Sequence, residues 1–396
     1  MKKSFVRSAA GILAAVLLLS VRVNAAPEVS AKAAILTDGA TGRMLYEKNA
    51  DAKSLIASTT KIMTGYLASE YADLDAEFAI PPEAVGIEGS SLYLAAGEKL
   101  TCRDLLYGLM LQSGNDAAMA LAIAVSGSAE AFVELMNRTA QELGLTQTHY
   151  ANPHGLDSAE NYSTARDLAH LTAHALQNEA FAASVRCKTK TVPGRTLTNH
   201  NKLLWRYDGA IGVKTGYTKA AGRILVSAAE RGGRRLIAVT ICDGNDWADH
   251  AALLDYGFFA FTERELLSED DVFRVGPAEA APAEAFSYPM AEGEKAVIRT
   301  FLPAAVRGPL RAGEFAGFAL LTVESRAVGC VPLYWREDLN ADTPKQNIFS
   351  RLFGGLFHGR TDSENHLRLR SGIPPRGRTA AGAGTHPGQR QYGAPR

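Results

Sequence analysis

The chain has 396 residues, and its 42 Lys+Arg balance 42 Asp+Glu. That length accommodates two domains, and the even charge excludes the overall basic bias that nucleic-acid binding leaves in a composition. An apolar share of 46% suits a globular core everywhere except the two ends.

The N-terminus reads as a targeting segment. Lys2, Lys3 and Arg7 precede an apolar stretch from Ala9 to Ser20, and Val23-Asn24-Ala25 fits the small-x-small rule for signal cleavage. The stretch is shorter than the ~20 apolar residues of a membrane span. Residues 1–25 are therefore expected to be an export signal, with the mature chain starting near Ala26. Export permits disulfides, but a chain of this size does not need them. Cys102, Cys187, Cys242 and Cys330 are expected to be buried and unpaired. His170 and His174 share a helix face but lack the glutamate of H-E-x-x-H, so neither a metal nor any other cofactor is expected.

Two short apolar runs, Ala33 to Leu36 and Arg43 to Tyr46, flank a loop carrying Asp38-Gly39, which predicts a hairpin. Ile56-Ala57-Ser58-Thr59-Thr60-Lys61-Ile62-Met63 then reads as a helix opening. On a helix Ser58 and Lys61 stand at i and i+3 and share a face. A serine hydroxyl is a poor nucleophile until a base takes its proton, and a neutral lysine amine one turn away can do so. Alone, S-x-x-K arises often by chance and reads more readily as a capped helix bearing a surface lysine.

Residues 73–100 look loop-rich. Thr101 with Asp104 predicts a capped helix running to Gln112-Ser113-Gly114-Asn115, and Asp116 starts another through Ala124. A third covers Ala129 to Leu143. The loop Asn152-Pro153-His154-Gly155-Leu156 and the stretch Tyr162-Ser163-Thr164-Ala165 precede a helix from Arg166. The chain then turns to strands, Gly212 to Thr218, Ile224 to Ala228 and Arg235 to Cys242, closed by a helix from Asp249 to Phe259. The order β, mostly α, β predicts an α/β (α+β) sheet completed by distant segments and backed by a helical cluster. From about Phe261 short strands predict a small all-β domain: Val272 to Val275, Ala296 to Leu302, Ala316 to Val323 and Gly329 to Tyr334.

Three motifs stand in chain order: Ser58-x-x-Lys61, Ser113-Gly114-Asn115 and Lys214-Thr215-Gly216. Each is weak alone, but together they form the signature of the penicillin-recognising serine enzymes. With Asn152 to Leu156, Tyr162 to Ala165 and Tyr217-Thr218, the stretch from about 30 to 340 resembles the D-alanyl-D-alanine carboxypeptidases of the low-molecular-mass penicillin-binding proteins. The resemblance implies a transpeptidase/β-lactamase-like catalytic domain over 26–261, followed by the β-rich domain over 262–340. It implies peptidoglycan stem peptides ending in D-Ala-D-Ala as substrate and β-lactam antibiotics as covalent inhibitors. Ser58 is then the nucleophile, Lys61 its base, and Ser113 the relay to the leaving amine. Asn115 orients Lys61 and the substrate, and Lys214 and Thr215 receive the terminal carboxylate. Gly216 allows close approach of the strand edge, and the Ser58 and Tyr217 N–H groups form the oxyanion hole. His154 is expected to order its loop, and His200 to stand where some relatives carry an arginine for the carboxylate.

There are two rival readings. A class A β-lactamase needs a loop glutamate, and Glu160 lacks its flanks; S-G-N also replaces the usual S-D-N. A non-catalytic wall-binding or penicillin-sensing protein would not need Ser58, Lys61, Ser113 and Lys214 together. Beyond the β-rich domain, Ile348, Phe349, Leu352, Phe353, Leu356 and Phe357 would fall on one side of a helix. An amphipathic membrane anchor is expected over 341–360, touching the membrane surface through 348–357. Residues 361–396, rich in Gly, Ala, Pro and Arg and without lysine, are expected to be disordered.

Overall fold

The strand Ala33–Asp38 (β1) is buried along its whole length. Successive side chains of a strand point to opposite faces, and here both faces are covered. Ala33 and Ile35 join a large core with the helices, whereas Ala34 and Leu36 join a second core on the other side. A strand covered on both faces is apolar without alternation, as Ala33-Ala34-Ile35-Leu36 is. The computed structural model describes residues 26–306 and 308–339. The expected export signal (1–25), the anchor (341–360) and the tail (361–396) lie outside the described residues.

β1 is an interior strand of an antiparallel five-stranded sheet with Met44–Lys48 (β2), Ala210–Thr218 (β3), Gly222–Arg231 (β4) and Arg234–Ile241 (β5), in the order β2-β1-β5-β4-β3. β3, which carries Lys214-Thr215-Gly216, is thus an edge strand, and its register on β4 pairs Gly216 with Ile224 and Tyr217 with Arg223. One face of the sheet carries the helical cluster: Lys61–Tyr71 (α1), Cys102–Leu111 (α2), Asn115–Ser126 (α3), Ala129–Glu142 (α4), Ala165–Ala175 (α5) and Glu179–Arg186 (α6). Thr101 and Asp104 form the predicted capping box on α2, and α3 buries residues on nearly every side. α6 is not among the helices expected from sequence, although Asn178 caps it by accepting from Phe181 N. The other face carries Asp246–Ala260 (α7). Its fully buried His250 is held between the hydroxyls of Ser227 (2.6 Å) and Thr240 (2.9 Å). Burial pushes that imidazole down to about 3, so it stays neutral.

After α7 the chain enters Phe261–Leu267 (β6), which pairs with Phe286–Ala291 (β9). A second antiparallel five-stranded sheet, from Phe273–Val275 (β7), Ala278–Pro282 (β8), Ala296–Phe301 (β10), Phe315–Val323 (β11) and Arg326–Trp335 (β12), has the order β7-β8-β12-β11-β10. It has its own core, with Leu267, Leu321, Leu333 and Trp335. Arg43, beside β2, ties this part to the first sheet. Its guanidinium donates to the Pro289 carbonyl and the Glu294 carboxylate and lies over the Phe261 and Tyr288 rings at 5.2 and 5.0 Å. The all-β expectation is met, although β6, β8 and β9 were not foreseen. The cysteines are unpaired, but only Cys102 is buried, and Cys330 is exposed on β12. Val331, Leu333 and Trp335 alternate into the core, which turns Cys330 to the opposite face of that strand. Among the described residues no single helix is long and apolar enough to cross a membrane.

Candidate active site

Ser58 stands not on the α-helix but on a single 3₁₀ turn, Ala57–Thr60, that feeds straight into α1. The tighter turn keeps the i, i+3 relation, and Lys61 Nζ lies 3.0 Å from Ser58 Oγ. Lys61 is fully buried. Its other two partners are Asn115 Oδ1 at 2.6 Å and the carbonyl of His154. Asn115, first residue of α3, donates its own amide to the Glu88 carbonyl, so its oxygen must face the lysine.

That partner set defines what the amine can do. An amide oxygen and a backbone carbonyl accept only. A neutral amine has two protons and one lone pair. If both protons go to Asn115 and His154, the lone pair is left towards the Ser58 hydroxyl, the arrangement of a base awaiting a proton. The electrostatics favour the neutral form. Burial holds Lys61 well below the usual lysine value, Lys214 adds to the effect, and Asp116 opposes it. Lys214 is itself buried and pushed down to about 7 by desolvation; its Nζ lies 2.9 Å from the Thr215 carbonyl.

Asp116 also explains why the loop-rich stretch 73–100 is ordered here. Its buried carboxylate accepts from Leu92 N, Leu94 N and Ser91 Oγ, which fixes the loop over α3. The same loop gives the Ser90 carbonyl to Asn115 N at 2.7 Å.

A cleft of about 310 Å³ opens over these groups, lined by Ser58, Ser90, Ser113, His200, Thr215, Gly216 and Tyr217, with Arg223, Asp246 and Trp247 on its rim. Gly216 meets the nucleophile turn closely. A Cβ there would lie 3.3 Å from Ile56 O, Ser58 N and Thr59 N. Ala57 (φ 45°) and Ser113 (φ 60°) both sit in the left-handed region, which costs a non-glycine residue ~1–2 kcal/mol and commonly marks functional backbone. Ser113 is not the cap of α3; Gly114 holds that position.

The His154 ring, pushed down to about 4 by burial and then by Lys61, accepts from Leu156 N at 3.2 Å. It orders its loop, as expected from sequence. The His200 ring borders the cleft, lowered by burial and by Lys214. His174 Nε2 lies 2.9 Å from the Tyr66 hydroxyl, and the described residues hold no cluster of three potential metal ligands. A larger open groove of about 640 Å³, lined by Lys32, Glu47, Asn49 and Asp51 among others, contains none of the three motifs.

The profile of the D-alanyl-D-alanine carboxypeptidase family matches residues 20–245. The chain belongs to that family. Over 245 residues it is 36% identical to the carboxypeptidase DacF of Bacillus subtilis, covering 59% of this chain and 63% of the relative. Over 257 residues it is 38% identical to the carboxypeptidase of Streptomyces sp. strain K15, covering 59% and 88%. Among solved structures, penicillin-binding protein 5 from Haemophilus influenzae aligns with a TM-score of 0.70 at 28% identity, over 79% of this chain and 98% of that one. Penicillin-binding protein 6B from Escherichia coli aligns at 0.65 and 29% identity, over 77% and 95%. These neighbours carry the fold expectation of a transpeptidase/β-lactamase-like domain with a β-rich part after it. The matched stretch spans just under two-thirds of the length of DacF.

Of the residues singled out from the motifs, Ser58, Ser113, Thr215, Gly216 and Tyr217 line this cleft, Lys61 and Asn115 connect to it through the hydrogen bonds at Ser58, and Lys214 is buried beside Thr215. Sequence reasoning missed the rim pair. Arg223 donates through Nε (3.0 Å) and Nη2 to the Asp246 carboxylate. Their 23-residue separation carries no motif; only the β3–β4 register and the start of α7 bring them together.

Proposed function

We propose that the chain is a serine-type D-Ala-D-Ala carboxypeptidase acting on peptidoglycan stem pentapeptides and acylated by penicillin. The observation that carries this reading is the three-partner environment of Lys61, which leaves its lone pair to Ser58. Ser58 Oγ attacks the penultimate D-Ala carbonyl while Lys61 takes its proton. Ser113 passes a proton to the leaving amine, the terminal D-Ala departs, and water then clears the acyl-enzyme. The N–H groups of Ser58 and Tyr217 hold the developing oxyanion, an interaction whose loss typically costs ~3 kcal/mol. Lys214 and Thr215 receive the terminal carboxylate by charge and hydrogen bond. Asn115 fixes Lys61 and contacts the substrate amide, and Gly216 lets the β3 edge lie close to the substrate.

The reading extends to organisation. Residues 26–261 act as the catalytic domain and 262–340 as a β-rich domain. The chain is exported by 1–25 and held at the extracytoplasmic face of the membrane through 348–357. The deciding experiment is mass spectrometry after incubation with penicillin. The full antibiotic mass should appear on the one tryptic peptide containing Ser58, and Ser58→Ala should abolish both that adduct and D-Ala release from a pentapeptide muropeptide. An adduct that persists in Ser58→Ala overturns the assignment.

A further inference from the structure

The turn that supplies the His154 carbonyl is built with unusual care. Asn152 Oδ1 accepts from the N–H groups of His154 (3.3 Å) and Gly155 (2.7 Å), while its Nδ2 donates to the Leu156 carbonyl (3.0 Å). One side chain therefore closes the turn from both sides. Next to it, Thr64 Oγ1 donates to the Pro153 carbonyl at 2.6 Å. Thr64 stands three residues after Lys61 on α1, so two neighbouring side chains of one helix face grip two consecutive carbonyls of the turn. Thr64 is fully buried. Asn161 adds a further tie, accepting from Ala151 N (3.3 Å) and donating to Thr60 Oγ1 (3.1 Å).

We propose that Asn152 and Thr64 are positioning residues that hold the His154 carbonyl on Lys61 and thereby aim the lysine lone pair at Ser58. This rests on the carboxypeptidase reading of the site. If the carbonyl withdraws, one amine proton loses its acceptor and the amine is free to rotate away from the serine. General-base catalysis contributes ~10²–10⁴ in rate, and loosening the base forfeits part of it. The same loss has a second signature. An ammonium makes stronger hydrogen bonds than an amine, so removing a carbonyl acceptor disfavours the charged form. The other charged or titratable groups facing Lys61 are Lys214 on β3, Asp116 on α3 and the neutral His154 ring; the substitutions below leave all three in place.

The test uses the full chain with Thr64→Val, Thr64→Ser and Asn152→Ala, reading acylation by a fluorescent penicillin across pH, with thermal unfolding alongside. Thr64→Val keeps the volume and exchanges only the hydroxyl for a methyl, so it remains informative if Asn152→Ala fails to fold. Expected are a fall of roughly tenfold to a hundredfold in plateau acylation, an acid limb displaced to lower pH, and recovery of both in Thr64→Ser. Parent-like rates in folded Thr64→Val overturn the inference. So does a slower rate with the acid limb unmoved or displaced upward, the mark of general loosening that lets water reach Lys61. If the parent chain itself takes no label, the reading of the site falls, and this inference with it.

Discussion

Gly155→Ala tests whether the turn at 152–156 must lie flush against the nucleophile. Gly155 has φ +89°, and a Cβ there would lie 2.0 Å from the Ala57 carbonyl oxygen, 2.5 Å from its carbon and 3.0 Å from Ser58 N. Heavy atoms out of bonding contact rest near ~3.5 Å, so the turn must retreat by about 1 Å or more. Both partners are backbone, and neither can swing aside. The His154 carbonyl moves with the turn, and a misplacement of ~1 Å around a reacting group costs about a hundredfold in rate. Left-handed strain adds ~1–2 kcal/mol of lost stability. Two comparators separate the causes. Gly194→Ala has the same strain (φ +72°) with nothing within 4 Å, so it should lose ~1–2 kcal/mol and acylate normally. Gly216→Ala meets backbone atoms at 3.3 Å, and a shift of a few tenths of an ångström should leave it only a few-fold slower. The assay is the rate of fluorescent-penicillin labelling, with thermal unfolding for stability. Near-parent labelling by Gly155→Ala, or a loss in Gly194→Ala as large as in Gly155→Ala, would refute the packing argument.

The remaining predictions follow from the two buried lysines and from the C-terminus. Because kcat/KM reports free-enzyme ionisations, it should rise on the acid side as Lys61 loses its proton and fall on the alkaline side as Lys214, at about 7, loses its charge. Lys214→Gln should remove the alkaline limb, raise KM and move the acid limb upward, since a repelling cation is gone; an acid limb that stays put argues against the coupling. An unfolded lysine keeps its proton to about 10.5 whereas folded Lys214 sheds it near 7. Between those values the unfolded chain binds more protons, so stability should rise with pH across that interval. Lys214→Met should flatten the rise, as read from urea midpoints. Finally, a chain ending at Asp342 should leave anionic vesicles with D-Ala release intact, and one ending at Arg360 should stay bound; sedimentation of the shorter chain with vesicles would sink the anchor proposal.

What was legible in the sequence is what local chemistry dictates. The Thr101–Asp104 box, the Asp38-Gly39 hairpin between β1 and β2, and the i, i+3 spacing of Ser58 and Lys61 all depend on residues close together in the chain, and all recur in the fold. Ser58 lies on a 3₁₀ turn and not on the helix proper because Ala57 enters from the left-handed region, a strain no propensity would predict. The rest of the site comes from long-range closure. Lys61 reaches Asn115 across 54 positions and His154 across 93. The motifs named the first of these partners through its residue type. The second is a backbone carbonyl, which has no residue type to read. Its importance emerges only once Asn152 and Thr64 are found gripping the turn around it. A base made from lysine needs its protons occupied as much as it needs its charge suppressed. Burial and Lys214 suppress the charge, and the Asn152 turn helps to occupy the protons. Side-chain motifs recorded the charge and Asn115, and only the fold displayed the carbonyl acceptor.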